Sequence, residues 1–326
     1  MSLPARVVAC LFTVTVLLFG SAGGLSAQNF PTRPIKLVVT FPAGGQNDVL
    51  GRLIGNHMAK TLNGTVVLEN IGGAGGVVGA TSVARAEPDG YTVLLGQIST
   101  ILVNPLIMSA VTYDPVKDYE PVVFLCTASA ILVAHPSFEA NTIKELIDLA
   151  KAKPGSVQYS IPGVGSSGHL AAELLQYMAG FKLQAIPYRG AAPAATDLIA
   201  GHIKLGVDGL PGQIENIRAG LVKPLGISSA TRDALAPNIP TMGETVPGYE
   251  AASWYGLWVP KGTPKDIIKK LNDAANAALK NEEVRSRLMA IGFTPRGGTP
   301  EELGAFVQSE IKKWSGVIKA ADMKVQ

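Results

Sequence analysis

The chain has 326 residues, 47% of them hydrophobic, and 28 Lys and Arg against 25 Asp and Glu give a formal net charge of +3. That balance excludes a globally basic nucleic-acid-binding surface. Two cysteines exclude both a disulfide framework and a four-cysteine zinc site.

Residues 1–27 read as a secretory signal: Arg6 is the sole charge, residues 7–20 are apolar, and Leu25-Ser26-Ala27 is a small-residue cleavage site. The apolar stretch is shorter than the ~20 residues of a membrane-spanning helix. Cys10 resembles a lipoprotein cysteine only loosely, because almost no apolar segment precedes it. An exported protein cleaved after about Ala27 is expected, with Cys126 as its single, buried, structural thiol.

Short apolar runs then alternate with helical spacing. Strands are expected over 35–40, 65–68 and 92–95, and helices over 48–62 and 77–86, with a Pro88-Asp89-Gly90 turn before the third strand. The order β-α-β-α-β implies a mostly parallel sheet covered by helices. The pattern repeats: Thr142 and Glu145 form a capping box opening a helix to about Lys153. Strands over 157–161, 183–187, 203–207 and 222–227 alternate with helices over 169–179, 193–200 and 213–219. Two helices close the chain. One opens at Thr263-Pro264; the other opens at the capping box Thr299-Pro300-Glu301-Glu302 and runs to about Ala321. The apolar runs 122–133 and 254–260 are too continuous for surface loops and suit strands crossing between two α/β lobes. The lobes would be residues 28–126 with 248–326, and 127–247.

Two loops suit an anion. Phe41-Pro42-Ala43-Gly44-Gly45-Gln46-Asn47-Asp48 and Pro162-Gly163-Val164-Gly165-Ser166-Ser167-Gly168-His169 each follow a strand and open a helix. Strand ends of this kind are where open α/β sheets bind ligands, and helix starts supply N–H groups and partial positive charge. The competing reading of the first is a tight turn with Asn47 or Asp48 as a plain cap. Gly163, Gly165 and Gly168 also spell a dinucleotide fingerprint, but the following strand ends without an acidic residue, and Arg189 there would at best suit a phosphorylated ribose. A Ser167–His169 dyad would make a hydrolase, although Ser166-Ser167 lacks the glycine spacing of a nucleophile elbow. His169 reads better as a donor to the ligand or to its own loop. Asp208, at a strand end, is either a site carboxylate or a cap. The Gly72-Gly73-Ala74-Gly75-Gly76 cluster reads as close packing of a helix on the sheet rather than cleft lining. His57, His135, His169 and His202 show no metal-ligand spacing.

Several segments in this order carry a family resemblance: Pro31-Thr32-Arg33-Pro34-Ile35, the loop 41–48, Val66-Val67-Leu68-Glu69-Asn70, the cluster 72–76 and Pro88-Asp89-Gly90-Tyr91-Thr92. Gly165–Ala171, Pro187-Tyr188-Arg189-Gly190, Pro193-Ala194 and Trp254-Tyr255-Gly256 follow. Over nearly the whole mature chain the sequence resembles the substrate-binding receptors of tripartite tricarboxylate transporters, the Bug-type receptors. The resemblance implies an α/β fold: a two-lobed, type II-like periplasmic binding protein, two mostly parallel sheets flanked by helices with two crossing hinge strands. It implies a monomer without cofactor, metal or catalysis, holding a small carboxylate for membrane transporter subunits. Carried onto this sequence, the ligand would be held by Phe41, Ala43, Gly44, Gly45, Asp48, Gly165, Ser166, Ser167 and His169, partly through water, with Asp208 at the second acidic position. Lys204 departs from the family's earlier acidic position. Uptake and sensory presentation of a ligand both remain open at this point, as does the ligand's identity.

Overall fold

A computed structural model describes residues 30–322 except Pro42 and Arg189. The expected signal 1–27, with Cys10, and the Arg189 reading lie outside the described residues. Among the described residues no helix is long and apolar enough to cross a membrane.

The β-branched run IKLVV forms β1 (Ile35–Val39), and α1 (Gln46–Thr61) follows directly. β2 (Val66–Asn70), α2 (Val77–Ala84) and β3 (Thr92–Gln97) complete a parallel trio, with Lys36 opposite both Val67 and Thr92. A helical segment over 99–107 leads to β4 (Tyr119–Ala128), and Ser129 alone separates β4 from β5 (Ala130–Ala134). Next come α3 (Ile143–Ala152), β6 (Gln158–Ile161), α4 (Ser167–Ala179), β7 (Gln184–Pro187), α5 (Ala191–Ile199), β8 (Leu205–Gly209), α6 (Leu210–Arg218) and β9 (Lys223–Ile227). The chain closes with β10 (Ser253–Pro260), α7 (Lys265–Lys280), α8 (Glu282–Ala290), β11 (Phe293–Pro295) and α9 (Pro300–Ala320).

Two sheets result: six strands in the order β11-β4-β10-β3-β1-β2, and five in the order β7-β6-β8-β5-β9. Each keeps a parallel trio, but both are mixed rather than mostly parallel. The reason lies in the crossings. β5 enters the second sheet at the edge where β8 ends, pairing Ala130 with Gly209, so it must run antiparallel to β8. β10 likewise re-enters the first sheet where β3 ends, pairing Tyr255 with Gln97. β4 and β5 do carry the first crossing, whereas residues 254–260 stay inside the six-stranded sheet as a fully buried strand. The return crossing lies just ahead of them, at 250–252. There Ala251 N–H donates to the Ser228 carbonyl at 2.9 Å, and Ser253 sits opposite Ala128. The two crossings are therefore side by side.

Side-chain caps mark the starts of α3, α4, α8 and α9. Thr299 and Glu302 form the complete capping box expected of α9. Thr142 accepts from Glu145 N–H, but the Glu145 carboxylate turns back to Asn141 N–H at 2.7 Å, so the box is half made. α7 starts one residue later than its Thr-Pro signal implies, and the Thr263 hydroxyl donates to the Pro260 carbonyl instead. α8 and β11 were not apparent in the sequence pattern. The signal for α8 is Asn281, whose side chain accepts from Val284 N–H ahead of Glu282 and Glu283.

α9 ties the halves together. It packs on β4 and on α4 of the other half. Its buried Glu310 accepts the indole N–H of Trp254 at 3.0 Å and of Trp314 at 2.9 Å, so that carboxylate is satisfied without water. One hydrophobic cluster runs from Val38 and Leu94 through Trp254 to Leu132 and Leu170, spanning both sheets. Cys126 lies in a second cluster with Leu125 and Leu257; it is buried as expected, and burial pushes its thiol well above the usual range.

Candidate functional site

The parallel trios set the geometry. β3, β1 and β2 all end at one edge of the first sheet, and β7, β6 and β8 at one edge of the second. Loops following those strands are therefore gathered at two edges.

At the first edge, Gly45 is the N-cap residue of α1, and no side chain caps the helix. Its first N–H groups have no partner within the helix, and the acid of its first turn, Asp48, is turned to Arg52. Ala43, Gly44 and Gly45 are exposed there, and Phe41 is half-buried. Gly44 adopts φ +84°, which glycine reaches at low cost, and gives its N–H to Asp48 at 3.1 Å. Asp48 is buried and holds Arg52 through two bonds of 3.0 Å each. The Arg52 hydrogen bonds, outweighing burial, hold the Asp48 carboxyl below its usual range. Asp48 is thus an ionised strut that fixes the loop, with its charge already answered. Asn70 adds a bond to the Phe41 carbonyl at 3.0 Å.

The second edge is built differently. Ser166 caps α4, its hydroxyl oxygen accepting from His169 N–H at 3.3 Å. His169 is buried and does not donate to its loop: its Nδ1 accepts the Gly165 N–H at 3.1 Å. Nε2 faces Glu173 at 3.7 Å, and Glu173 is itself held by Tyr159 at 2.8 Å and Gln176 at 2.9 Å. Burial lowers the His169 pKa, with Glu173 opposing, so the ring is neutral with Nδ1 as the acceptor. Neither ring nitrogen is aimed at a serine hydroxyl, so the proposed Ser167–His169 dyad is not assembled. Ser167 is half-buried in the first turn of α4.

Gly168 explains how α4 sits so close to β8. A Cβ there would lie 2.6 Å from the Val207 carbonyl oxygen and 3.4 Å from Asp208 N. This places Asp208 beside the start of α4. Its carboxylate accepts Gly209 N–H at 2.7 Å and the Gln213 amide at 3.1 Å, and meets no cation among the described residues. Burial, the larger cause, raises its pKa.

The two edges meet through residues that sequence reasoning did not single out. Gly165 packs against Val103 and Ile107, while Asn104 donates to the Gly75 carbonyl at 3.0 Å and Thr100 lies against Gly76. Asn47 reaches Gln97 at 3.0 Å. The segment 99–107 thus touches the 72–76 loop on one side and the 163–167 loop on the other. Asn104-Pro105 was the only local hint of it. Within the cluster, residues 72–75 are exposed, whereas Gly76 is closely packed: a Cβ there would stand 2.6 Å from Thr100 and 3.0 Å from Thr40. Thr40 Oγ1 is buried there without a hydrogen-bond partner.

The sequence model described as the tripartite tricarboxylate transporter family receptor matches residues 50–323. BugT of Bordetella pertussis is 36% identical over 309 residues, covering 94% of this chain and 95% of BugT. Among solved structures, an R. palustris protein with adipate superposes with a TM-score of 0.79 at 35% identity, covering 91% of this chain and 99% of that one. MatC from Rhodopseudomonas palustris with bound malate gives a TM-score of 0.75 at 33% identity, covering 89% and 100%. The periplasmic binding protein BugD gives 0.75 at 34% identity, covering 91% and 100%.

Proposed function

We propose that this chain, which belongs to the tripartite tricarboxylate transporter receptor family, captures a small organic carboxylate between its two sheet edges and delivers it to membrane transporter subunits. The observation that carries the reading is the uncapped start of α1, set across the segment 99–107 from the start of α4. A carboxylate placed between them accepts N–H bonds from both helix starts and the Ser167 hydroxyl, with water completing its shell. Small donors suit this better than a buried cation, which would be costly when the site is empty. Gly44 N–H, Gly165 N–H, Asp48 and His169 shape the two loops, because their polar groups are already committed. Asp208 meets the ligand's far end through a hydroxyl, an amino group or a water. The solved relatives named with adipate and malate support the ligand class.

The lobes expected as 28–126 with 248–326, and 127–247, would hinge a few residues beyond those boundaries, at Ser129 and residues 250–252. Closure follows because only a closed form lets one ligand touch both edges. The protein acts as an exported, periplasmic monomer that binds without turnover; the serine-hydrolase alternative lacks an assembled dyad. A thermal-shift screen over mono-, di- and tricarboxylates, amino acids and aromatic acids tests the reading. A ligand at 100 times its Kd adds about 2.7 kcal/mol. Ser167→Ala is expected to weaken the best hit at least tenfold. Unchanged affinity in calorimetry would remove Ser167, and with it this placement of the ligand, from the account.

A further inference from the structure

The crossings have a second side. A cavity of about 360 Å³ opens against Ser129 and Ala252, at the β11–β4 end of the six-stranded sheet and away from β1 and β2. Its volume falls within the roughly 300–1,000 Å³ of small-molecule sites. One wall comes from β4, β11 and α9, and the other from residues 229–234, which follow β9.

The wall chemistry is selective. Phe124 and Phe306 pack at 4.8 Å between centroids, and Trp254 stands edge-on to Phe306 at 5.6 Å. The Arg296 guanidinium lies over Phe124 at 5.7 Å, and no carboxylate among the described residues pairs with it. The other cations of the wall are committed: Arg232 grips Glu244 with bonds of 2.9 and 2.8 Å, and Lys313 meets Glu310 at 3.2 Å. Of the acids, Asp233 accepts the Ser129 hydroxyl at 2.9 Å, Glu310 accepts the two indoles, and Glu250 is exposed. An aromatic shelf beside one free, planar, bidentate cation is complementary to a ring bearing a carboxylate.

We propose that this hinge-side cavity is a second ligand site, taking a small aromatic carboxylate with its ring on Phe124 and Phe306 and its carboxylate on Arg296. The same cavity is lined by residues 229–234 of the other half and by Ser129 and Ala252 of the crossings, so a ligand filling it faces both halves. Its binding is therefore coupled to the angle between the sheets by the difference in its contacts across that angle. The cavity shares none of the residues assigned to the carboxylate cleft, so the two sites are tested separately.

The probe is 2-naphthoate, titrated into the purified protein by calorimetry with small-angle scattering in parallel. Saturable binding at millimolar or tighter Kd is expected, weakened at least tenfold by Arg296→Gln and by Phe306→Ala and unchanged by Lys312→Gln on the same helix. Arg296 is exposed, so Arg296→Gln leaves the core intact and decides the test if Phe306→Ala fails to fold. Absent saturable binding, or binding undiminished in Arg296→Gln, overturns the site. The radius of gyration is expected to change on saturation of the wild type and not of Arg296→Gln; a constant value at saturation overturns the coupling.

Discussion

His169 offers the sharpest test of how the second loop is held. Replacing it with leucine keeps approximate volume but removes both ring nitrogens. Gly165 N–H, buried and donating to Nδ1 at 3.1 Å, then loses its acceptor. An unsatisfied buried donor costs about 1–3 kcal/mol. At roughly 2–4 °C per kcal/mol, the melting temperature falls by about 2–12 °C. The loss must also depend on pH. Burial lowers the folded-state pKa of His169 below its unfolded value of 6.5, against the weaker pull of Glu173. Below that value the unfolded chain binds more protons than the folded one, so this group's stabilising contribution is complete above 6.5 and is lost as pH falls towards the folded pKa. The slope is at most about 1.4 kcal/mol per pH unit. His169→Leu has no such group. Calorimetric unfolding should therefore show the widest gap between wild type and variant near pH 8, narrowing towards about pH 5. A gap that stays constant, or widens in acid, refutes a buried neutral imidazole.

Two further substitutions address the edges. Asp208→Asn is expected to stabilise the protein at neutral pH, because burial raises the Asp208 pKa above 3.8 and so makes its charge costly in the folded state. The folded chain then binds more protons than the unfolded one, stability falls as pH rises through that window, and the variant's advantage should vanish near pH 4 in thermal scans; an advantage independent of pH contradicts the reading. Gly76→Ala should destabilise by about 1–3 kcal/mol, through φ +96° and a Cβ only 2.6 Å from Thr100, with thermal unfolding as the readout and wild-type stability as the contrary result.

Local signals carried most of the fold. The runs at 35–40 and 92–95, the glycine loops and the Thr299 box each have a short-range physical cause, and each lies where that cause puts it. The crossings were legible only in part. Residues 122–133 and 254–260 are equally apolar, and only the pairing of Tyr255 with Gln97 tells a central strand from a crossing one. The same limit applied to the site. Loop composition pointed to the two helix starts, but could not say that Asp48 is answered by Arg52, or that His169 accepts from Gly165 rather than donating. Those are long side chains choosing among neighbours, and the choice depends on tertiary distances that no spacing rule encodes. The segment 99–107 was missed because its role is contact: Val103 and Ile107 are ordinary core side chains that happen to receive Gly165.

The charge arrangement then bears on which carboxylate fits the proposed cleft. Each helix start contributes roughly half a positive charge, so α1 and α4 together offset about one carboxylate. The described residues of the two loops include no cation, and Arg52 of α1 is bound to Asp48 and offers no second counter-charge. Asp208, beside the start of α4, adds a negative charge there, which the ligand's far end faces in the proposed placement. A second carboxylate there would meet repulsion unless it picked up a proton or stood off through water, whereas a hydroxyl or ammonium would donate to Asp208. In the thermal-shift screen, hydroxy and amino acids should accordingly stabilise the protein more than plain dicarboxylates of equal length. Asp208→Asn should narrow that preference by relieving the repulsion. A preference for the plain dicarboxylate in the wild type, unchanged by Asp208→Asn, would take Asp208 out of the cleft and leave it as a local acceptor for Gly209 N–H and the Gln213 amide.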